Sequence, residues 1–347
     1  MFYQIAEKAL ALEKKGKKIT RLNVGDTNIP TPKCAVDAAV KAAKSGKSAY
    51  VSSAGIMELR DAIARREGCG IENVVVGPGS KHLIYGLLSV LAPRGGNVAF
   101  PAPYWPAYML ACKQLGLNAI AQDARLENNW EFGTLPKADV AVICNPLNPT
   151  STIYSENSVK QEVLEANANG TYLLLDEAYK GLAFEKIPRY DGAIRVRSFS
   201  KEFNMENWRL GYVVAPEALA KKMIAFNQVT ATCVSPISQA AGLACLENER
   251  EILEANRKIW KSRMDTAAKE MKSAGFEFAK PKSGMYVFAR HDGIKDATAY
   301  ALELLEKGVA VSPGADFGAG KGFIRVCANQ DEGTLKSAIR KMGEEAR

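Results

Sequence analysis

Along residues 73–201, short runs rich in valine, isoleucine and leucine alternate with turn residues and helix-patterned segments. The run "NVVVGPGS" leads into "KHLIYGLLSVLA", whose apolar residues at 83, 84, 87, 88 and 91 recur at the spacing of a helix face. The strand and turn pattern returns in "NVAFPAPYW", "DVAVICNPLNP", "TYLLLDEAY" and "AIRVRSFSK". Buried strands that alternate with helices are typical of a mostly parallel sheet. We therefore predict an α/β fold with helices on both faces of the sheet.

Polar and aromatic residues follow these predicted strands at their carboxyl ends. They are Gly79, Ser80, Tyr104, Trp105, Asn145, Asn148, Asp176, Tyr179, Ser198 and Lys201. In open α/β sheets, ligands bind outside the carboxyl ends of the strands. Strand ends that meet at one crevice would combine a helix N-terminus, an aromatic face, amides, a carboxylate, a phenol, a hydroxyl and an amine. These groups suit a flat ring that carries a phosphate and a nitrogen atom.

The pattern changes at about residue 236, where long helical segments begin. The short strand-like runs "MYVFAR", "VAVSP" and "GFIRVCAN" follow before a closing helix, which indicates a smaller second domain of α+β type. A single helix buries its apolar face only against other elements, so the N-terminal helix and "ITRLNVG" are expected to pack on this domain. We predict a large cofactor-binding domain at 33–248 and a small domain built from 1–32 and 249–347.

The formal net charge of +8 does not by itself indicate nucleic-acid binding. Lysine and arginine are spread among acidic residues, and we interpret the dense run "KKGKK" at 14–18 as a solvated helix end. The seven cysteines are scattered without a C-x-x-C pair, which argues against a disulfide framework or a zinc site. No stretch is as apolar as a membrane span, and the N-terminus lacks a signal-peptide pattern. We expect a cytoplasmic protein with no nucleic-acid or membrane partner.

The segment "GPGSK" at 77–81 has two interpretations. It lacks the spacing of a P-loop, but a Gly-Ser pair between strand and helix can bind an anion through free N–H groups and the helix dipole. The alternative is a plain N-cap by Ser80. Two other motif matches carry no function: "DFG" at 316–318 lacks the kinase catalytic loop, and "NGT" at 169–171 is a chance glycosylation pattern.

Single residues also have plain interpretations, but their combination favours one cofactor. A lone lysine is usually solvated, and Trp105 beside two prolines can belong to a core. Arg325 in "FIRVC" requires an anion, because an unpaired buried guanidinium is costly. A lysine forms a Schiff base with a carbonyl cofactor, and pyridoxal phosphate also needs a carboxylate at its ring nitrogen and a site for its phosphate. The predicted crevice offers all three groups.

Eight motifs follow one another along nearly the whole chain: "LNVGDTNIPTP", "AYVSSAGIMELRDAIA", "VGPGSK", "PAPYWPAY", "NPLNPTS", "DEAYKGL", "SFSKEFNMENWRLGY" and "GFIRVC". In order and spacing, the chain resembles the class I aminotransferases, which are pyridoxal-phosphate-dependent enzymes of fold type I. Within that family it resembles the aspartate aminotransferase subgroup of bacteria and archaea. The opening "GDTNIPTP" departs from the acidic and aromatic residues common there, and Ser151 stands where glycine is usual. These departures concern substrate preference and not the cofactor.

The resemblance implies a large domain with a mostly parallel seven-stranded sheet between helices, plus a smaller α+β domain. It implies that Lys201 holds the cofactor and shuttles a proton between the substrate α-carbon and the cofactor. A lysine can act as a base near neutral pH only if cationic neighbours and burial lower its pKa. Asp176 is implied as the partner of the pyridine nitrogen, where its charge keeps that nitrogen protonated.

The resemblance also implies the remaining cofactor contacts. Gly79, Ser80, Ser198 and Arg209 would surround the phosphate, Asn148 and Tyr179 would bind the ring hydroxyl, Trp105 would stack on the ring, and Tyr50 would reach the phosphate of the neighbouring subunit. Arg209 can hold two phosphate oxygens in one planar fork. Because Tyr50 would serve a second chain, the active unit is implied to be a homodimer.

Substrate binding is implied for four residues. Arg325, together with Asn148, would hold the substrate α-carboxylate, and Gly25 would let the backbone approach it closely. Lys81 keeps the position that the aspartate subgroup associates with the distal carboxylate of aspartate or glutamate. The alternatives for Lys81 are a phosphate neighbour and a solvated helix residue.

The function implied is a ping-pong aminotransferase that moves an amino group from a dicarboxylic amino acid to a 2-oxo acid through a Schiff base. Two alternatives keep the cofactor: an aromatic or histidinol-phosphate aminotransferase, and a carbon–sulfur β-lyase. A non-catalytic sensor domain that binds pyridoxal phosphate is the alternative from another class.

Overall fold

The computed structural model describes residues 4–320 and 322–347. Its helices are α1 (Gln4–Lys14), α2 (Lys33–Lys44), α3 (Met57–Glu67), α4 (Ser80–Leu91), α5 (Ala107–Leu115), α6 (Glu156–Asn169), α7 (Phe199–Glu202), α8 (Glu217–Thr230), α9 (Pro236–Glu247), α10 (Glu249–Ser273), α11 (Ala297–Glu306) and α12 (Glu332–Glu345). Its strands are β1 (Thr20–Arg21), β2 (Val74–Gly77), β3 (Asn97–Ala102), β4 (Asn118–Asp123), β5 (Val140–Cys144), β6 (Tyr172–Asp176), β7 (Ile194–Ser198), β8 (Gly211–Val214), β9 (Glu277–Phe278), β10 (Tyr286–Arg290), β11 (Val309–Ala310), β12 (Ser312–Pro313) and β13 (Phe323–Cys327).

Seven strands form the central sheet, in the order β2-β8-β7-β6-β5-β3-β4. Every neighbouring pair is parallel except the two that involve β8, which runs antiparallel to β2 and to β7. Strands β5 and β7 are buried along their whole length, as expected for strands that helices cover on both faces. The prediction of a mostly parallel α/β sheet is therefore confirmed.

The register of the central strands aligns the residues at their carboxyl ends. Cys144 at the end of β5 pairs with Asp176 at the end of β6, and Asp176 pairs with Val196 in β7. Ser198 ends β7, and Lys201 follows in the short helix α7. One edge of the sheet therefore carries Asp176 and Ser198, with Lys201 just beyond it.

A smaller antiparallel sheet has the order β12-β13-β10-β9. Helix α12 packs against α10, and α11 packs against β12. Strand β1 pairs in parallel with β11, so the N-terminal segment contacts the C-terminal part of the chain. These elements form the smaller domain, while the boundaries at 32/33 and 248/249 stay a prediction.

Helix α10 has 25 residues and connects α9 to the small sheet. It buries one apolar face through Leu253, Trp260, Met264 and Met271, and its other faces carry charged residues. Within residues 4–320 and 322–347, no helix is both long enough and apolar enough to span a bilayer.

Candidate active site

A cavity of about 650 Å³ lies at the carboxyl ends of the central strands, and residues of the small sheet also line it. The predicted site residues that line it are Gly25, Ser80, Lys81, Trp105, Asn148, Asp176, Tyr179, Ser198, Lys201, Arg209 and Arg325. Gly79 directly precedes the lining residue Ser80. Tyr50, predicted to serve a neighbouring subunit, is 86% exposed in the single chain. The structure thus brings these eleven residues, but not Tyr50, to one cavity.

Lys201 lines the cavity from helix α7. Its Nζ donates a hydrogen bond to the Gly25 carbonyl and lies 3.7 Å from the Glu206 carboxylate. Burial lowers the pKa of Lys201, while the charges of Glu206 and Asp26 act in the opposite direction. The amine is therefore closer to its neutral, nucleophilic form than the amine of an exposed lysine.

Asp176 is buried at the end of β6 and accepts two hydrogen bonds. Tyr108 Oη donates to Oδ2 at 2.6 Å, and the Ala178 N–H donates to Oδ1 at 3.1 Å. Burial raises the pKa of Asp176 to about 6, although both hydrogen bonds favour the carboxylate. A cation held against this carboxylate would offset the cost of burying its charge. The sequence analysis assigned no role to Tyr108, although its place three residues after Trp105, in the motif "PAPYWPAY", was a signal that could have identified it.

The raised pKa of Asp176 makes the stability of the cofactor-free protein depend on pH. The pKa of Asp176 is about 6 in the folded protein and 3.8 when unperturbed, so the folded protein binds this proton more tightly than the unfolded chain does. The stability that the bound proton contributes is lost as pH rises through 6. Between about pH 5 and about pH 8, we expect the wild type to lose about 1.4 kcal/mol relative to Asp176→Asn, whose amide does not titrate. Urea unfolding of both proteins at both pH values measures this difference, and parallel profiles would contradict the expectation.

The start of α4 forms part of an anion-binding wall. The helix begins at Ser80, and its N-cap is Gly79, with a φ of 86°. The interpretation of Ser80 as a plain N-cap is therefore wrong. The positive φ strains any residue with a side chain, and a Cβ at Gly79 would also displace the guanidinium of Arg209, so this position favours glycine.

Ser198 adds a hydroxyl to the same wall. It pairs in the sheet with Gly211, and a side chain at Gly211 would lie 2.9 Å from the Ser80 N–H. Ser198 Oγ accepts a hydrogen bond from the Ser200 N–H at 3.2 Å, so its own proton can be donated to a ligand. The guanidinium of Arg209, this hydroxyl and the N–H groups of the helix start are the donors that a phosphate requires.

Trp105 and Lys81 lie together on another part of the cavity wall. Lys81 Nζ lies 5.3 Å from the centroid of the Trp105 ring, within the range of a cation–π interaction. The Trp105 ring also packs edge-to-face against Tyr108, with centroids 5.6 Å apart. Tyr108 thereby links the aromatic wall to Asp176.

Arg325 enters the cavity from β13, with only 2% of its surface exposed. Its Nη1 donates to Asn148 Oδ1 at 3.0 Å, and its Nη2 donates to the Asn23 carbonyl at 2.7 Å. The guanidinium lies over two aromatic rings, 4.3 Å from the centroid of Tyr286 and 4.7 Å from that of Phe317. These contacts hold the planar fork in one orientation at the cavity.

Asn148 and Tyr179, both predicted to bind the ring hydroxyl, contact each other. Asn148 Nδ2 donates to Tyr179 Oη at 3.2 Å, and Tyr179 Oη lies 3.2 Å from Tyr286 Oη. The sequence analysis did not identify Asn23 or Tyr286 as site residues, nor the hydrogen bond between the hydroxyls of Tyr286 and Tyr179. No local pattern marks them, because Tyr286 meets Tyr179 only through tertiary contact.

The cavity fits pyridoxal phosphate in its chemistry and its size. A buried carboxylate can face a protonated ring nitrogen, a helix start with a guanidinium and a hydroxyl can hold a phosphate, and an aromatic side chain offers a flat wall. A lysine whose pKa is lowered by burial lies at the same cavity. These features belong to Asp176, Arg209, Ser198, Trp105 and Lys201.

Comparisons with known proteins agree with this chemistry. The family described as aminotransferase class I and II matches residues 17–342. An aspartate aminotransferase of Thermococcus kodakarensis is 33% identical over 316 residues, which cover 88% of this chain and 84% of that protein. An aspartate/prephenate aminotransferase of Thermus thermophilus is 29% identical, with coverages of 96% and 92%. 

A solved structure supports the same assignment. The aspartate aminotransferase from Thermus thermophilus with maleate has a TM-score of 0.94 and 27% identity, over 99% of this chain and 96% of that one. The predicted seven-stranded sheet with a smaller domain is therefore confirmed. The chain is similar to aspartate aminotransferases; it belongs to the class I and II aminotransferase family and is a pyridoxal-phosphate-dependent aminotransferase.

Proposed function

We propose that this aminotransferase takes its amino group from aspartate or glutamate and passes it to a 2-oxo acid. The observation that carries the proposal is that two cations, Arg325 and Lys81, line one cavity from different domains. Two separated cations suit a substrate with two carboxylates. The activities of the similar aspartate and aspartate/prephenate aminotransferases support this assignment, and the Thermus thermophilus structure was solved with maleate, a dicarboxylate.

The proposed cofactor contacts follow from the cavity wall. Ser80, Ser198, Arg209 and the Gly79 backbone would hold the phosphate, Asp176 the ring nitrogen, Asn148 and Tyr179 the ring hydroxyl, Trp105 the ring face, and Lys201 the aldehyde carbon. When bound, pyridoxal phosphate supplies an electron-poor ring that accepts the electrons of the substrate Cα–H bond. Asp176 would keep the ring nitrogen protonated, and Tyr108 would hold the carboxylate in place.

Lys201 is proposed as the residue that moves the proton. Its burial lowers the pKa of the amine, which favours the neutral form that takes a proton from the substrate α-carbon. After the proton is taken, the resulting ammonium would be stabilised by the Gly25 carbonyl and by the Glu206 carboxylate. The same amine then returns the proton, so one residue serves as base and acid.

Arg325 is proposed to bind the α-carboxylate of both substrates. Its guanidinium is fixed by Asn148, by the Asn23 carbonyl and by the rings of Tyr286 and Phe317. A fork that is already oriented loses little conformational entropy when it binds a carboxylate. It would therefore set the direction of the Cα–H bond relative to Lys201.

Lys81 is proposed to bind the distal carboxylate, and Lys81→Ala tests this assignment. We expect kcat/KM for aspartate to fall by about 10- to 100-fold, because a charge-assisted contact contributes about 1.5–3 kcal/mol. Alanine lacks the distal carboxylate, so its kcat/KM is expected to change by less than about threefold. Steady-state assays of both amino donors with 2-oxoglutarate measure the two effects.

The alanine assay is the internal control, because it responds to any general damage to the cofactor site. Equal losses with aspartate and alanine would contradict the assignment of Lys81. A wild-type enzyme that uses aspartate and glutamate no better than aromatic donors would contradict the proposed substrate class itself.

A homodimer is proposed as the active unit. Four large side chains from α2 to the first residue of α3 are exposed in the single chain: Val36, Val40, Tyr50 and Met57. Exposed apolar surface of this kind commonly marks a protein interface. Burial of this surface in a dimer would carry Tyr50 toward a second active site. Sedimentation equilibrium at assay concentrations tests the proposal, and a mass of one chain would contradict it.

A further inference from the structure

Tyr286 is a buried phenol at the cavity. The proposed cofactor and substrate contacts assign no role to its hydroxyl. It begins β10, 2% of its surface is exposed, and its ring lies under the guanidinium of Arg325. Its ring packs edge-to-face against Tyr179, with centroids 5.7 Å apart. A side chain at Gly25 would overlap the Tyr286 hydroxyl, so that hydroxyl occupies space that glycine leaves open.

The Tyr286 hydroxyl contacts Tyr179, the residue proposed to bind the ring hydroxyl of the cofactor. The two Oη atoms lie 3.2 Å apart, and Asn148 Nδ2 also donates to Tyr179 Oη at 3.2 Å. A phenol oxygen accepts two hydrogen bonds and donates one. If Tyr179 donated to Tyr286, its only proton would be directed away from a ligand.

The hydroxyls of Tyr286 and Tyr179 both carry their protons near neutral pH. Burial raises the pKa of Tyr286 to about 12, and burial also raises the pKa of Tyr179 well above its ordinary value. The other titratable groups that act on these two phenols are Asp26, Cys144, Arg325 and Cys327. Two protonated phenols in contact form one hydrogen bond, and either can be its donor.

Ser151 holds the Tyr286 backbone beside the cavity. Its Oγ accepts hydrogen bonds from the N–H groups of Met285 at 3.2 Å and Tyr286 at 2.9 Å. Its carbonyl accepts another from the Lys282 N–H at 2.8 Å. The residue that stands where the family usually has glycine therefore ties the loop after β5 to the first residue of β10. Tyr286 is held at Tyr179 by these bonds as well as by its own ring.

We propose that Tyr286 is a positioning residue, whose hydroxyl donates to Tyr179 and directs the Tyr179 proton toward the ring oxygen of the bound cofactor. With Asn148 and Tyr286 as donors, both acceptor positions of Tyr179 are filled, and its proton is left for the ligand. A hydroxyl that accepts such bonds is a stronger donor, because hydrogen bonds in a chain polarise one another. Tyr286 thereby stabilises negative charge on the ring oxygen. The inference rests on the proposed assignment of Tyr179 to the cofactor.

The test is a pH titration of the visible absorbance of the protein loaded with pyridoxal phosphate. The absorbance changes as the lysine–cofactor linkage gains or loses its proton, and the unprotonated form concentrates negative charge on the ring oxygen. Tyr286→Phe removes the hydroxyl and keeps the ring over which Arg325 lies. We expect the midpoint of the titration to rise by about 0.5 pH unit, because a weakened hydrogen bond from Tyr179 stabilises that charge less.

Two further variants show whether Tyr286 acts through Tyr179. In a Tyr179→Phe background, Tyr286→Phe is expected to shift the midpoint no further, as a double-mutant cycle requires for coupled groups. Tyr300→Phe is the matched control, because Tyr300 is also a buried phenol, and it donates to the Met342 carbonyl at 2.7 Å in the smaller domain. Tyr300→Phe should leave the midpoint unchanged, and it shows what the loss of a buried hydroxyl does to folding alone.

The outcomes separate this inference from the proposed function. An unchanged or lowered midpoint in Tyr286→Phe overturns the inference while the cofactor site stands. Equal shifts with and without Tyr179 also overturn it, because Tyr286 would then act on the cofactor by another route. A wild-type protein that binds no pyridoxal phosphate overturns the proposed cofactor site and this inference with it.

Discussion

Replacing Lys201 with alanine is expected to slow amino transfer from aspartate to 2-oxoglutarate by at least about 10⁴-fold. Alanine removes both the amine that would bind the cofactor aldehyde and the base that would move the α-proton. General base catalysis alone contributes about 10²- to 10⁴-fold, and the covalent link adds to this. A coupled assay of product formation measures the rate, and single-turnover measurements extend it to very slow reactions.

The control for Lys201 is a lysine that lies outside the cavity. Lys221 is on α8, is mostly exposed and pairs with Glu217 one helical turn away. Lys221→Ala is expected to keep the wild-type rate within about twofold, because exposed ion pairs contribute little to stability. If Lys201→Ala keeps more than about a tenth of the wild-type rate, Lys201 is not the base.

Replacing Arg325 with lysine is expected to lower kcat/KM by about 10²- to 10³-fold for the amino acid and for the oxo acid alike. Lysine keeps the charge but lacks the planar fork that can bind two carboxylate oxygens. It also leaves the Asn148 amide and the Asn23 carbonyl without the partners that Arg325 provides. Both substrates carry the same α-carboxylate, so both should be affected through KM as well as kcat. Steady-state kinetics with each substrate varied in turn measures these effects.

Arg340→Lys is the matched control for this variant, because Arg340 lies exposed on α12, outside the cavity. It should leave both values of kcat/KM within about twofold of the wild type. The visible absorbance of the bound cofactor should persist in Arg325→Lys, which would show that the cofactor site is intact. Unchanged KM values for both substrates would contradict the assignment of Arg325 to the α-carboxylate.

The sequence could predict the sheet and the strand-end residues because both follow from local patterns. Buried runs such as "DVAVIC" and "TYLLLD" are visible as strands, and parallel strands place their carboxyl ends at one edge. Asp176 and Ser198 therefore had to lie near each other. The assignment of each to one part of a cofactor came from the family resemblance and not from these patterns.

The contacts that could not be predicted connect distant parts of the chain. Tyr108 bonds Asp176 across 68 positions, and Tyr286 lies beside Tyr179 across 107. The place of Tyr286 depends on the pairing of β10 with β13 and on Ser151, and no local periodicity encodes either. Specific side-chain partners of this kind are set by tertiary packing.

Buried ion pairs in the large domain are a second example of contacts that local sequence patterns do not predict. The run "AIRVRSFSK" was predicted as a buried strand, and β7 does bury Arg195 and Arg197. Arg195 pairs with Glu67 from α3, and Arg197 Nη2 pairs with Glu202 at 2.6 Å. Burial of these guanidinium groups is tolerable because each has a carboxylate partner. Glu67 lies 128 positions from Arg195, so no local sequence pattern identifies it as the partner.

The central claim is that Lys201 carries the cofactor, and borohydride reduction tests it most directly. Reduction of the protein loaded with pyridoxal phosphate fixes the cofactor to the amine that holds it, and peptide mass spectrometry then locates that amine. We predict a single modified peptide with the label on Lys201, together with loss of the visible absorbance. A label on Lys81 or Lys180 in place of Lys201, or a protein with no reducible visible band, would contradict the claim.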